Sequence, residues 1–229
     1  DGVEWTQRFP AHTPSPRIGH EMVYDSVRNK ILLIGGAYAG GSDAAVWQYD
    51  GTDWTLLTNS VGGPTTDNSL QGDACFDRAR GKVVFLTSQQ GGTYPANRTW
   101  EFDPATLTWQ STYAGTSFTF DQAQIVYDSA QSKVLVSALY NFVAAVPWQY
   151  TGTGWQQLGT TGPFRYWPVI AFDAFRNRAT LFGNARNELN YPNFHNDTFA
   201  TLIASTWTTI LPEFQPVPAD RLWPAAMCY

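Results

Sequence analysis

Four times along this chain an aromatic residue precedes an aspartate, and five residues after that aspartate a cation opens a largely apolar run. Tyr24-Asp25 leads to Lys30 and Ile31-Leu32-Leu33-Ile34, and Phe76-Asp77 leads to Lys82 and Val83-Val84-Phe85-Leu86. Tyr127-Asp128 leads to Lys133 and Val134-Leu135-Val136, and Phe172-Asp173 to Arg178 and Ala179-Thr180-Leu181-Phe182. In the first instance the step between aspartate and cation carries Ser26, Arg28 and Asn29, residues suited to a turn that hydrogen-bonds its own backbone. The apolar run that follows suits a strand buried on both faces. Each instance therefore reads as strand, tight turn, strand, and the rest of the chain has to accommodate four such hairpins.

Two more landmarks keep the same beat. Trp5, Trp54, Trp109, Trp155 and Trp207 are separated by 49, 55, 46 and 52 residues, close to the ~50-residue period of one class of repeat protein. Ahead of the later tryptophans another aromatic announces a third strand: Trp47-Gln48-Tyr49-Asp50, Trp100-Glu101-Phe102-Asp103, Trp148-Gln149-Tyr150 and, more weakly, Phe199-Ala200-Thr201-Leu202. Asp50-Gly51-Thr52-Asp53 and Asp103-Pro104-Ala105-Thr106 are turns of the kind that join antiparallel neighbours. Each unit is thus expected to hold four antiparallel strands. A sheet of that size, apolar on both faces, cannot bury itself alone, but units packed face to face around an axis can.

Pro16-Arg17 before the first strand, His20, Tyr24-Asp25, Gly35-Gly36, Trp47-Gln48-Tyr49-Asp50 and Trp54 together resemble the kelch motif. Nearly the whole chain resembles the kelch and galactose-oxidase-like β-propellers. The Gly-Gly position degenerates to Thr87-Ser88, Ser137-Ala138 and Gly183-Asn184 in later units. The expectation is an all-β kelch-type β-propeller with four full blades, at about 13–57, 64–111, 114–158 and 163–210, plus one strand at each end. Residues 1–10 read as the closing strand of a preceding blade and 216–229 as the opening strand of a further one. From this we expect 1–229 to be one propeller domain or part of one, a piece of a larger propeller or one that closes with another chain. Asp1 in place of a methionine reads as a processed or excised start.

Composition narrows the function. A net charge of -5 and only three lysines (Lys30, Lys82, Lys133), each spent on a turn, leave no basic stripe for phosphates, so nucleic acid is a poor partner. No apolar run is long enough to span a membrane. Few lysines and many Trp, Tyr, Thr, Ser, Asn and Gln lean towards a secreted or cell-surface protein. His12, His20 and His195 lie far apart and no cysteine cluster exists, so neither metal nor cofactor is expected. The copper-site motifs of the oxidase relatives are not matched, and neither a Gly-rich phosphate loop nor a Ser nucleophile elbow is present. Cys75 and Cys228 fit a disulfide or two buried thiols. Asn97-Arg98-Thr99 and Asn196-Asp197-Thr198 fit the glycosylation sequon, but fall where the repeat itself places such residues.

The resemblance implies that the first strand of each blade lies nearest the axis and that the loops from second to third strand crowd one mouth. Those loops hold Tyr38, Tyr94, Tyr140, Asn141, Tyr191, Phe194 and His195. Aromatic faces beside amides suit sugar rings or peptide backbones. Arg17, Arg165 and Arg221 share the register before the first strand, where they either grip a carboxylate bidentately or fasten neighbouring carbonyls. Trp167 and Trp223 follow two of them as a collar or as inter-blade core. The repeated aspartates and tryptophans are read as architecture. Acids outside the repeat phase, Asp43, Asp67, Asp73, Asp121 and Glu188, would serve glycoside hydrolysis only if two faced each other about 5 to 9.5 Å apart. The leading expectation is a non-catalytic binding module for a glycan or a protein segment. The alternatives are a carbohydrate-active enzyme or oxidase fragment, and a structural propeller subunit within a larger assembly.

Overall fold

The computed structural model describes residues 4–39, 41–42, 45–59, 63–64, 72–87, 98–113, 124–140, 144–159, 166–184, 197–203 and 206–210. Every regular element among them is a strand. Blade 1 comprises β1 (Glu21–Asp25), β2 (Lys30–Ile34), β5 (Val46–Tyr49) and β6 (Trp54–Thr58), with the short pair β3 (Ala37–Tyr38) and β4 (Gly41–Ser42) inserted between β2 and β5. Blade 2 comprises β7 (Gly72–Asp77), β8 (Lys82–Thr87), β9 (Arg98–Asp103) and β10 (Thr108–Tyr113). Blade 3 comprises β11 (Gln124–Asp128), β12 (Lys133–Tyr140), β13 (Ala144–Tyr150) and β14 (Trp155–Gln157). Blade 4 comprises β15 (Tyr166–Asp173), β16 (Arg178–Asn184), β17 (Asp197–Ile203) and β18 (Thr206–Ile210). All pairings are antiparallel between sequence neighbours in the blade. The first strands β1, β7, β11 and β15 approach one another in that order, so the four sheets are arranged as the blades of a β-propeller with their first strands innermost.

The recurring aspartate explains why these hairpins form. Asp25 Oδ1 accepts from Val27 N and Arg28 N, both at 3.0 Å, while Arg28 Nη1 reaches Oδ2 at 2.8 Å. Asp77 repeats the arrangement with Arg80 N and Arg80 Nε, and Asp173 with Arg176 N and Arg176 Nη1. In blade 3 Asp128 keeps the backbone bonds, from Ala130 N and Gln131 N. All four carboxylates are buried, and their oxygens cap a turn whose amides lack strand partners. The chain then turns through a left-handed residue just before the cation: Asn29, Gly81, Ser132 and Asn177, with φ between 52° and 67°. Asn and Gly take that region readily. Gly36 answers a different need, because at φ 97° a Cβ there would stand 3.0 Å from both His20 Cβ and the Ile18 carbonyl oxygen.

Three apolar cores lie between blades. Val23, Leu32, Ile34 and Val46 of blade 1 meet Phe76, Val83, Phe85, Phe102 and Trp109 of blade 2. Cys75, Val84 and Leu86 of blade 2 meet Ile125, Val134, Val136 and Tyr150 of blade 3. Leu135 and Val126 of blade 3 meet Ile170, Leu181 and Phe172 of blade 4. The repeated Trp109 is thus core, as its periodicity suggested, and Cys75 is a buried free thiol.

The seam between blades 2 and 3 is also polar. Glu101, buried on β9, pairs with Arg80 and with Lys82 Nζ at 3.2 Å. The Arg80 guanidinium lies 5.0 Å from the centre of the Tyr150 ring, whose hydroxyl is 2.9 Å from Thr112 Oγ1. Trp155 Nε1 donates to Thr99 Oγ1 at 2.7 Å. Burial works to raise the Glu101 pKa, but its bonds to Arg80, Tyr150 and Lys82 hold it below the usual carboxylate range.

Three expectations are adjusted. Residues 4–10 form no strand; Trp5 and Phe9 are exposed, and the segment is tied to blade 1 further on, where His12 N and Nδ1 each lie 2.7 Å from the Asp53 carboxylate. A closing strand needs an edge to pair with, and none among the described residues receives it. The excursion 37–45 holds the β3–β4 pair instead of plain loop. Tyr140 ends a strand, because β12 and β13 continue pairing to Tyr140↔Ala144. The expected opening strand at 216–229 lies outside the described residues.

Two outcomes follow from these contacts. Leu107 occupies the left-handed position of the β9–β10 turn at φ 57°, a conformation costing roughly 1 kcal/mol for a side chain with a Cβ. Leu107→Gly is expected to raise the free energy of unfolding by about 0.5–1 kcal/mol in urea titration. Glu101→Gln, which leaves Arg80 and Lys82 facing a neutral amide in a part-buried seam, is expected to cost about 3 kcal/mol at pH 7. Because the folded-state pKa of Glu101 is depressed, its contribution is present above its unfolded value of 4.5 and fades as pH falls through the folded value. The wild-type and variant stabilities should therefore converge in acid.

Candidate functional site

One end of the propeller is defined by where the inner strands begin. Glu21 at the start of β1 pairs with Ile34 at the end of β2, Asp73 with Leu86, Gln124 with Ser137, and Tyr166 with Asn184. The second strands therefore end, and the third strands start, at this same end. The capped turns at Asp25, Asp77, Asp128 and Asp173 lie at the other.

Four residues before each capping aspartate stand Glu21, Asp73, Gln124 and Val169, one from each inner strand at one height. Two of the four are acids on adjacent strands. Asp73 Oδ2 accepts from Ile125 N of blade 3 at 2.6 Å, and Oδ1 from Ala74 N at 3.0 Å. Desolvation outweighs those bonds and pushes the Asp73 pKa up to about 6. Glu21 is raised to about 8, chiefly by desolvation and then by the Asp73 charge. At neutral pH a protonated carboxyl thus lies within electrostatic reach of a largely ionised one, a donor beside an acceptor. Cys75, two residues on, is held well above its ordinary pKa by burial and by Asp73 and Asp77 against the opposing Arg80 charge, so it stays a thiol.

At the rim, Arg17 donates from Nη1 to the Gly35 carbonyl at 2.8 Å, from Nε to the Ser15 carbonyl at 3.2 Å and from Nη2 to Ser15 Oγ at 3.0 Å. Its guanidinium carbon lies 5.7 Å from the centre of the Tyr38 ring. The neighbouring Ile18 and Ala37 exchange backbone bonds at 2.9 Å, and Gly35 N donates to Ala45 O at 3.0 Å. Arg17 and the Gly35-Gly36 break thereby fasten the base of the excursion that carries Tyr38, the carbonyl-binding alternative of the two roles expected for this arginine. His20, whose Cβ lies against Gly36, has a buried Nδ1 without a partner among the described residues.

Of the residues expected at the mouth, the structure brings Arg17 and Tyr38 together. Tyr140 and Trp167 sit by backbone at the same end, at the close of β12 and the start of β15. Tyr94, Asn141, Arg165, Tyr191, Phe194, His195, Arg221 and Trp223 lie outside the described residues, as do Asp43, Asp67, Asp121 and Glu188. Asp73 was among the acids singled out by phase; Glu21 was not. Its signal is its offset, four residues before Asp25 as Asp73 is before Asp77. Among the described residues no group of three or more His, Cys, Asp or Glu gathers as a metal site, and no helix is long and apolar enough to cross a membrane. No protein-family model matches this chain, and no curated protein matches it.

The raised acids have a pH signature. A carboxyl whose folded pKa exceeds its unfolded one binds more protons folded than unfolded, so its contribution is most favourable at low pH and declines as pH rises. For Glu21 the window runs from its ordinary value of 4.5 to about 8. Glu21→Gln is expected to stabilise the protein by on the order of 2–4 kcal/mol at pH 8 and by little at pH 4.5. Denaturant midpoints measured across that range would show the wild-type decline flattened in the variant; parallel curves would place Glu21 in contact with bulk water.

Proposed function

We propose that this chain is an exported, kelch-type binding propeller that holds a glycan or a protein segment at the mouth where its inner strands begin. The observation carrying this reading is the excursion between β2 and β5: a short β-pair whose base is fastened by the Ile18–Ala37 bridge and by Arg17, and which presents Tyr38 beside a guanidinium. A rim aromatic held on a rigid scaffold supplies a stacking face at little cost in conformational entropy. The kelch assignment rests on the residues quoted above, and export on the lysine-poor, Trp- and Tyr-rich composition. Further blades, from the same parent chain or another subunit, are part of the same reading.

A second reading, a carbohydrate-active enzyme, is favoured by the Glu21 and Asp73 pair, since one protonated and one ionised carboxyl are what acid–base cleavage of a glycosidic bond requires. The two separate on arrays of immobilised glycans and displayed peptides, followed by titration of the hits. The binding reading expects saturable binding that Tyr38→Ala weakens about tenfold, the equivalent of one lost aromatic contact, with the unfolding midpoint unchanged. Turnover of any bound glycan, lost on Glu21→Gln while binding persists, would replace it with the enzyme.

A further inference from the structure

The excursion between β2 and β5 is a narrow ribbon whose rows are set by register. Ile18 bridges Ala37, and β3 pairs with β4 through Ala37↔Ser42 and Tyr38↔Gly41. One step on from the bridge, Arg17 comes opposite Tyr38, and its guanidinium carbon stands 5.7 Å from the centre of the Tyr38 ring. Arg17, Tyr38 and Gly41 thus form one row on one face of the ribbon, while Ile18 and Ala37 belong to the other face. The Tyr38 ring has a cation on one side and, across the strand on the other, a residue with no side chain. A Cβ placed at Gly41 would meet no atom within 4 Å, so Tyr38 does not lie over its glycine neighbour in the way a cross-strand aromatic can. Gly41 itself is exposed and Tyr38 half-buried. At φ 130° Gly41 holds a conformation that side chains avoid, which builds the opening into the backbone. The result is a slot about one ring wide, walled by Tyr38 and floored by the Gly41 backbone.

We propose that this slot takes one face of an uncharged pyranose ring and that Gly41 is the residue that admits it, an inference that rests on the binding reading above and chooses the glycan within it. Charge selects against the alternatives. A cationic group is turned away because the Arg17 guanidinium already holds the other face of the ring. An anionic group meets the negative face of the aromatic ring, and Arg17 Nε, Nη1 and Nη2 are engaged with Ser15 and Gly35. A pyranose carries C–H bonds on its face and hydroxyls around its edge, so it stacks on Tyr38 while the hydroxyls keep their water. A protein segment draws its affinity from several anchors set together. Here the large exposed apolar neighbour, Ile18 at 77%, lies on the opposite face of the ribbon.

The test takes the whole chain to an array of neutral oligosaccharides, uronate-bearing oligosaccharides and displayed peptides, and titrates the hits in solution. Neutral glycans are expected to bind. Tyr38→Leu, which keeps apolar bulk but removes the flat face, should weaken them by at least about fivefold, and Tyr38→Phe should stay within about twofold of wild type. Ile18→Ser, on the other face, should change nothing. Gly41→Val should cost at least as much as Tyr38→Leu; should that valine distort the ribbon, the contrast between Tyr38→Leu and Ile18→Ser still decides. Glycan binding that survives Tyr38→Leu, or that Ile18→Ser removes, overturns the slot while leaving a binding propeller. Binding confined to uronates or to peptides overturns the choice of ligand. Should neither glycan nor peptide bind, the reading on which the slot rests falls with it.

Discussion

A four-stranded sheet with apolar side chains on both faces has to be sandwiched, and everything else in this structure is subordinate to that requirement. Each blade pairs its four strands within itself, but its apolar side chains are not buried by that pairing. Val84 and Val134, or Leu135 and Leu181, leave water only because the next sheet is laid against them. The sheets must then fan about their first strands, which brings β1, β7, β11 and β15 together and lines up whatever residues those strands carry at one height. The Glu21 and Asp73 pair is a product of that stacking, since neither acid is near the other in sequence.

Much of this was legible because the repeat writes architecture four times. The aromatic-Asp-to-cation step located all four β1–β2-type hairpins, and the tryptophan beat located the closing strands β6, β10, β14 and β18 to within a residue or two. The periodicity also separated the turn aspartates and core tryptophans from candidates for chemistry. It concealed something as well. Arg28 was read as turn composition and Arg80 and Arg176 drew no reading, whereas all three, each three residues past its aspartate, pair with the capping carboxylates. Glu21 was overlooked because an acid at a strand start has no local signature; its environment is set by β7, about fifty residues away in sequence. Likewise, the five-residue step says nothing of Glu101, whose partners Arg80 and Lys82 belong to the preceding hairpin.

The two ends of the propeller divide the labour of the fold. At the turn end, buried carboxylates cap the four turns in a repeated geometry, which leaves little to change without cost. The mouth end combines a fastened excursion, a buried His20 ring nitrogen without a partner among the described residues, and two acids kept from their ordinary ionisation. Carboxyls with displaced pKa values mark places where a ligand or a protonation change is accommodated, and here the two raised acids stand together at the mouth.

The ion cluster of Glu101, Arg80 and Lys82 under Tyr150 occurs at one junction among the described residues, while the apolar faces around it are near copies of one another. Interchangeable faces pose a problem of order: a chain of look-alike sheets has no apolar reason to seat the third beside the second in preference to another. At the position of Glu101, blades 1 and 3 carry the neutral Gln48 and Gln149, so the charges form an address, readable only by the sheet that offers Tyr150 opposite them. Repeat arrays change by copying and exchanging units, and this junction would resist such traffic, whereas the junction between blades 1 and 2, with Gln48 in place of the glutamate, would permit it. A lineage of such chains would then be expected to vary in length on one side of the address and to keep the pair on either side of it together.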